Sequence, residues 1–197
     1  MDEKHIAEML LTAERLKDLP RTGWILAGCE LNGVESVASH AWGVTFATLL
    51  LSRHIIASGE SVDLQRALEM ATVHDIAESF LSDIPQRAES PEWSDLIESK
   101  TRLEKRVISD LVQKNQLPRE VLCLWEEYHA CDTMEARIVR AADILDMLVR
   151  AARVRQRGVA ASLLQQFFDS GIDRLAELGV PLALKIANLL REDALKV

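Results

Sequence analysis

Apolar residues recur at three- and four-residue spacing from the start of the chain. Ile6, Met9, Leu10, Ala13 and Leu16 would share one helical face, and Pro20 stops that helix. Residues 20–36 carry Gly23, Gly28 and Asn32-Gly33 and read as an irregular loop or a tight turn. Ser36 is placed to cap a helix from Val37 to about Ser58, just before Gly59. Ser61 or Asp63 would cap the next, predicted as one helix from Leu64 to about Leu81. The stretch from Ser82 to Pro91, with two prolines, reads as a surface loop. Helices are then expected from about Glu92 to Lys114 and from Pro118 through Tyr128. Another runs from Thr133 or Asp132 to Arg157, and two more cover about Ser162 to Leu178 and Pro181 to Lys196. No stretch alternates as a strand does, so the expectation is an all-α helical bundle. It is taken as a single domain over 1–197, with a site-bearing core at about 16–148 and helices 162–197 packed on it.

Composition agrees with that pattern. Hydrophobic residues make up 48% of the 197 and charged ones 27%, as in a soluble globule. A chain this long buries roughly 70% of its unfolded surface. The 31 acidic against 23 basic side chains leave a formal charge of −8. Such a surface disfavours a nucleic-acid polymer, whose binding needs basic groups to displace counterions. A small anionic substrate stays compatible if a metal and a few arginines make the potential locally positive. Cys29, Cys123 and Cys131 lack paired spacing and read as reduced thiols. The N-terminus has no signal-peptide pattern and no window is apolar enough to span a membrane, so a cytoplasmic location away from membranes is expected.

Four polar residues interrupt this helical pattern where an isolated ionisable group would be costly. His40 follows Ser36 by four positions, His74 and Asp75 are adjacent, and Asp143 sits in the middle of a predicted helix. Singly each has an ordinary reading: a satisfied core histidine for His40, an ion-pair partner of Arg140 for Asp143. Together they form a mixed nitrogen and oxygen shell suited to one divalent ion such as Mn, Fe, Co, Ni, Zn or Mg. On a six-coordinate ion they would leave two positions open. Glu78 stands four residues after His74 and three after Asp75, on the same face. It reads as a general acid or base, with a carboxylate that orients a histidine as the alternative. His5, His54 and His129 have no such company and read as surface or capping residues. Arg150, Arg153 and Arg157 read as a solvated, salt-bridged face.

The order His40, His74-Asp75, Asp143 resembles the HD-domain metal-dependent phosphohydrolases. Within them the chain is most similar to the small 5′-deoxyribonucleotidases. Four segments between about Leu16 and Leu148 carry the likeness: Pro20-Arg21-Thr22-Gly23-Trp24, Glu35 to His40, His74 to Glu78 with Asp83-Ile84-Pro85, and Leu124 to Tyr128. The resemblance implies metal ligation by His40, His74, Asp75 and Asp143. It implies that Arg21 grips the phosphate, Glu78 handles protons, Asp83 contacts the sugar 3′-hydroxyl and Trp24 packs near the sugar. It also implies a homodimer. Two positions depart from the family pattern: Ser39, where an acidic residue is usual, and Ser82, where glycine is common.

Elementary chemistry is consistent with that assignment. A glutamate near pKa 4.3 cannot deprotonate bulk water at about 15.7, whereas a metal can bring bound water to roughly 7. The expected reaction is cleavage of a (deoxy)nucleoside 5′-monophosphate to nucleoside and phosphate by hydroxide made on the metal. Arg21 and Trp24 would face the pocket through a turn at Gly23, with a core tryptophan as the competing reading of Trp24. The alternatives are hydrolysis of a nucleoside triphosphate or guanosine alarmone, or a non-catalytic metal-dependent nucleotide sensor.

Overall fold

The structure, a computed structural model, describes residues 1–29, 33–85 and 91–196, with the backbone alone over 91–94. Asn32 of the expected turn and residues 86–90 of the expected loop lie outside the described residues. The chain forms α1 (Glu3–Glu14), α2 (Thr22–Leu26), α3 (Val37–Ala57), α4 (Leu64–Val73), α5 (Glu78–Leu81), α6 (Pro91–Lys114), α7 (Glu120–Ala130), α8 (Met134–Gln156), α9 (Ala161–Leu178) and α10 (Pro181–Leu195). The fold is all-α, with no strand among the described residues.

Helix starts follow the caps. Ser36 accepts from Ser39 N, Asp63 rather than Ser61 accepts from Arg66 N, and Thr133 rather than Asp132 accepts from Ala136 N. Each side-chain oxygen satisfies a backbone donor that the first helical turn leaves open.

Two expectations are corrected. Residues 20–36 are not wholly irregular, since they contain α2. Two backbone bonds at 2.8 Å, Arg21 N to Glu35 O and Val37 N to Leu19 O, hold the approach to α2 against the start of α3. The helix expected over 64–81 is interrupted: α4 ends at Val73, and α5 starts at Glu78 after a tighter turn. The apolar face of α1 stays largely open, because α1 meets little beyond the 3₁₀ turn Arg15–Lys17. Ile6 and Leu10 are exposed, and only Leu16, in that turn, is buried.

The site rests on a stack of long helices. α3 lies along α8, α4 packs across both, and α9 and α10 close over α8. Val44, Leu51, Ala142, Leu145 and Leu148 occupy their shared interior, in one hydrophobic cluster that reaches from Trp24 to Ala194. Removing most of a side chain such as fully buried Leu148 would cost about 2–5 kcal/mol. α6 joins through a smaller cluster of Ala77, Ile108 and Trp125. Among the described residues no helix is long and apolar enough to cross a membrane.

Candidate metal and phosphate site

His40 projects from the second turn of α3 and is 1% exposed, facing α8. Its Nδ1 lies 2.8 Å from Asp146 Oδ2. The carboxylate can only accept, so it fixes the proton on Nδ1 and leaves a lone pair on Nε2. His74 is set the same way, with Nδ1 2.8 Å from the Ala71 carbonyl. Both Nε2 atoms are buried without a hydrogen-bond partner, and so is Asp75 Oδ2. These three atoms lie within 4.8 Å of one another.

Asp75 Oδ2 is 3.2 Å from His74 Nε2 and 3.7 Å from His40 Nε2. Asp143 Oδ1 completes the group, 3.2 Å from His40 Nε2. Donors bound at right angles to an ion at about 2.1 Å stand about 3 Å apart, so these separations suit one cation. Orphaned buried acceptors facing one another are costly unless a cation satisfies them. The residues present therefore fit a divalent metal.

The interrupted helix builds this geometry. Ile76 N bonds Val73 O, Glu78 N bonds Asp75 O and Ser79 N bonds Ile76 O, all three residues back, at 3.0–3.2 Å. That 3₁₀ pattern eclipses side chains three apart, bringing Glu78 over Asp75. His74 and Asp75 thus belong to a tight turn and not to a helix interior, which corrects the expected placement.

Glu78 is 2% exposed. Oε1 lies 3.4 Å from Lys100 Nζ, while Oε2 has no partner. Burial pushes its pKa well above the usual value, helped by the Asp75 and Asp83 charges and opposed by Lys100 and Arg21. Burial also works against charge on Asp75 and Asp143, but the facing histidines and Arg21 hold both carboxyls below their ordinary range. For His40, burial and Arg21 disfavour protonation, yet Asp143 and Asp146 outweigh them and push its pKa up to about 10.

Arg21 caps the approach to α2, with Nη1 3.4 Å from Asp83 Oδ1 and 3.6 Å from Asp75 Oδ2. Asp83 Oδ2 accepts from Thr22 N, so Asp83 anchors both Arg21 and α2. Asp83 is buried, which corrects the surface-loop expectation at that residue. The preceding Ser82 has φ 64° and ψ 168°, a conformation suited to glycine. Gly23 is helical and an added Cβ would meet only ordinary contact with Pro85, so no special turn is needed there.

Trp24 is core and lining at once. It is 3% exposed, stacks on Phe167 of α9 at 4.8 Å and donates from Nε1 to Glu35 Oε2 at 3.2 Å. The cleft is lined by Arg21, Trp24, His40, His74, Asp75, Glu78, Asp83 and Asp143, so every expected site residue converges there. His129, expected as a surface or capping residue, sits in the last turn of α7 with Nδ1 3.0 Å from the Trp125 carbonyl and also lines the cleft, half-buried with its ring 3.8 Å from that of Trp125. His5 N does engage its Asp2 cap, and His54 is exposed in the last turn of α3. Arg140 lies over the Tyr128 ring, 4.6 Å from its centre, and Tyr128 Oη donates to Asp143 Oδ2 at 2.8 Å.

Sequence reasoning missed Asp146, Lys100 and the roles of Tyr128 and Arg140. Asp146 had a signal, three residues after Asp143 on one helix. Lys100 had none, because α6 reaches the site only through the tertiary fold. Ser39 is exposed and bonds Ser36, so nothing at that position supports a histidine.

A sequence model of the HD domain matches residues 13–177. The 5′-deoxynucleotidase HDDC2 of Dictyostelium discoideum is 32% identical over 163 residues, 79% of this chain and 82% of that protein. The Homo sapiens protein of the same name is 27% identical over 169 residues, 85% of this chain and 76% of its own. A Pyrococcus horikoshii OT3 protein of solved structure is 32% identical, with a TM-score of 0.79 over 94% of this chain and 98% of its own. The chain belongs to the HD domain family.

Proposed function

We propose that this protein is a metal-dependent phosphomonoesterase that hydrolyses 2′-deoxynucleoside 5′-monophosphates to nucleoside and phosphate. The observation that carries this reading is the set of three buried, unpartnered donor atoms on His40, His74 and Asp75, beside Asp143, Arg21 and Glu78. Relatives named 5′-deoxynucleotidase over most of the chain support the substrate class.

His40, His74, Asp75 and Asp143 would hold one divalent ion. That ion supplies the positive charge and the water activation that no carboxylate here can provide. Arg21 offers a permanently charged planar fork to two phosphate oxygens, poised by Asp75 and Asp83. In hydrolysis a water oxygen bonds to phosphorus as the bond from phosphorus to the 5′-oxygen breaks. The proton from water must end on that 5′-oxygen. Glu78 is the group to carry it, because burial favours a proton on it and Oε2 is free. Lys100 holds Oε1 and so keeps Oε2 turned to the cleft. Asp83 and the edge of Trp24 are assigned to the sugar, at its 3′-hydroxyl and 2′-carbon.

We also assign the reaction to a single domain, acting in the cytoplasm as a homodimer. The continuous core through α10 supports the first, and three cysteines at spacings that pair none of them suit a reducing compartment. A stripe of Trp42, stacked on Phe46, with Leu50 beyond it stands exposed on α3 and offers a face for a second copy.

The test is product analysis with metal-restored protein. Deoxynucleoside monophosphates should release one phosphate and free nucleoside, faster than ribonucleotides. Pyrophosphate or tripolyphosphate from triphosphates would overturn the monophosphatase reading. Tight binding without turnover would make the protein a sensor.

A further inference from the structure

A second cavity, of about 350 Å³, adjoins the catalytic cleft and shares Arg140, Ile144 and Arg174 with it. Its charged lining is Arg137, Arg140 and Arg174 against a single carboxylate, Glu177. Arg137 and Arg140 leave α8 three residues apart, and Arg174 comes from α9. All three arginines are half-buried. Arg137 Nε donates to the Thr133 carbonyl at 3.4 Å and Arg140 covers the Tyr128 ring. Among the described residues none of the three forms an ion pair with a carboxylate within 4 Å, and Arg174 makes no hydrogen bond.

Two other half-buried arginines behave differently. Arg66 is held by Glu120 and Glu127, and Arg21 by Asp75 and Asp83. With 31 acidic residues against 23 basic ones, partners are plentiful. Arg137, Arg140 and Arg174, none of them salt-bridged to a carboxylate among the described residues, therefore leave a concentrated, partly desolvated positive charge around one cavity, with Asp143 and the Tyr128 hydroxyl acting on Arg140 alone. Its physical complement is an anion with several acceptor oxygens, because guanidinium forks match phosphate geometry.

We propose that this cavity is a phosphate-binding site separate from the catalytic one, taking either free phosphate or the phosphate of a nucleotide. This goes beyond the hydrolytic reading and does not depend on it. The site also has a route to the catalytic centre: Arg140 lies on Tyr128, whose hydroxyl holds Asp143. An anion that draws Arg140 away from the ring acts on Asp143 through two contacts.

The experiment is calorimetric titration of metal-loaded, full-length Arg21→Gln protein, which lacks the proposed catalytic phosphate grip. One arm uses inorganic phosphate and the other a nucleoside 5′-triphosphate. Binding should persist, weaken at least tenfold on adding Arg137→Gln or Arg174→Gln, and tighten on adding Glu177→Gln. The opposite sign for Glu177→Gln separates charge recognition from damage to the fold. Equal binding in both arms identifies free phosphate as sufficient, and binding by the triphosphate alone identifies a nucleotide-borne phosphate. No binding in either arm, or binding indifferent to these three substitutions, overturns the proposal.

Discussion

The Asp146 carboxylate occupies the space that a side chain at residue 43 would fill, and from there it reaches His40 Nδ1 at 2.8 Å. Residue 43 is Gly43 on α3, and a Cβ there would overlap Asp146. The close approach of α3 and α8 thus depends on one missing methyl group, and it sets the tautomer of a proposed metal ligand. Asp146→Asn and Gly43→Ala should each weaken metal binding about 10–100-fold, the usual cost of disturbing a ligand's hydrogen-bond partner. Metal titration checks this. Unchanged affinity in both variants would make Asp146 a packing residue.

Glu78 links the chemistry to stability. Its folded pKa is raised, so the fold favours the protonated form, and that contribution is present below the unfolded pKa and lost as pH rises through the folded value. Metal-free Glu78→Gln should therefore melt above the wild type at neutral and alkaline pH, with the gap closing toward pH 4. Turnover in the same variant should fall about 10²–10⁴-fold with metal still bound. Loss of the metal instead would make Glu78 a ligand.

Ser82 carries backbone strain. Its φ of 64° with ψ 168° lies in a region open essentially to glycine and costs about 1–3 kcal/mol elsewhere. Ser82→Gly should stabilise the protein by about 1 kcal/mol in denaturant unfolding. Since Asp83 already anchors Arg21 and Thr22, turnover should change little. A destabilised variant would refute the strain.

Arg21→Lys keeps the charge and loses the fork. If Arg21 grips phosphate with two parallel bonds, kcat/KM should drop about tenfold or more while metal affinity stays within a few-fold. A lysine variant of full activity would leave only an electrostatic role.

Much of this was readable from the sequence. The caps Ser36, Asp63 and Thr133 act locally, so the starts of α3, α4 and α8 were legible within a few residues. The cluster of His40, His74, Asp75 and Asp143 was legible because ionisable residues stand out in apolar helices. The break after Val73 was not, since 3₁₀ and α turns share the same periodic residues over four positions. The burial of Asp83 and the contribution of Lys100 were hidden because they depend on helices meeting across the fold.

The central claim is that a bound divalent ion in this cluster drives phosphate release. The most direct test strips the protein of metal, restores Mn²⁺ stepwise, and follows bound ion by electron paramagnetic resonance alongside phosphate from a deoxynucleoside monophosphate. The account predicts no turnover in stripped protein and activity rising in step with occupancy to one ion per chain. Turnover without metal, or full occupancy with no phosphate released, would contradict it.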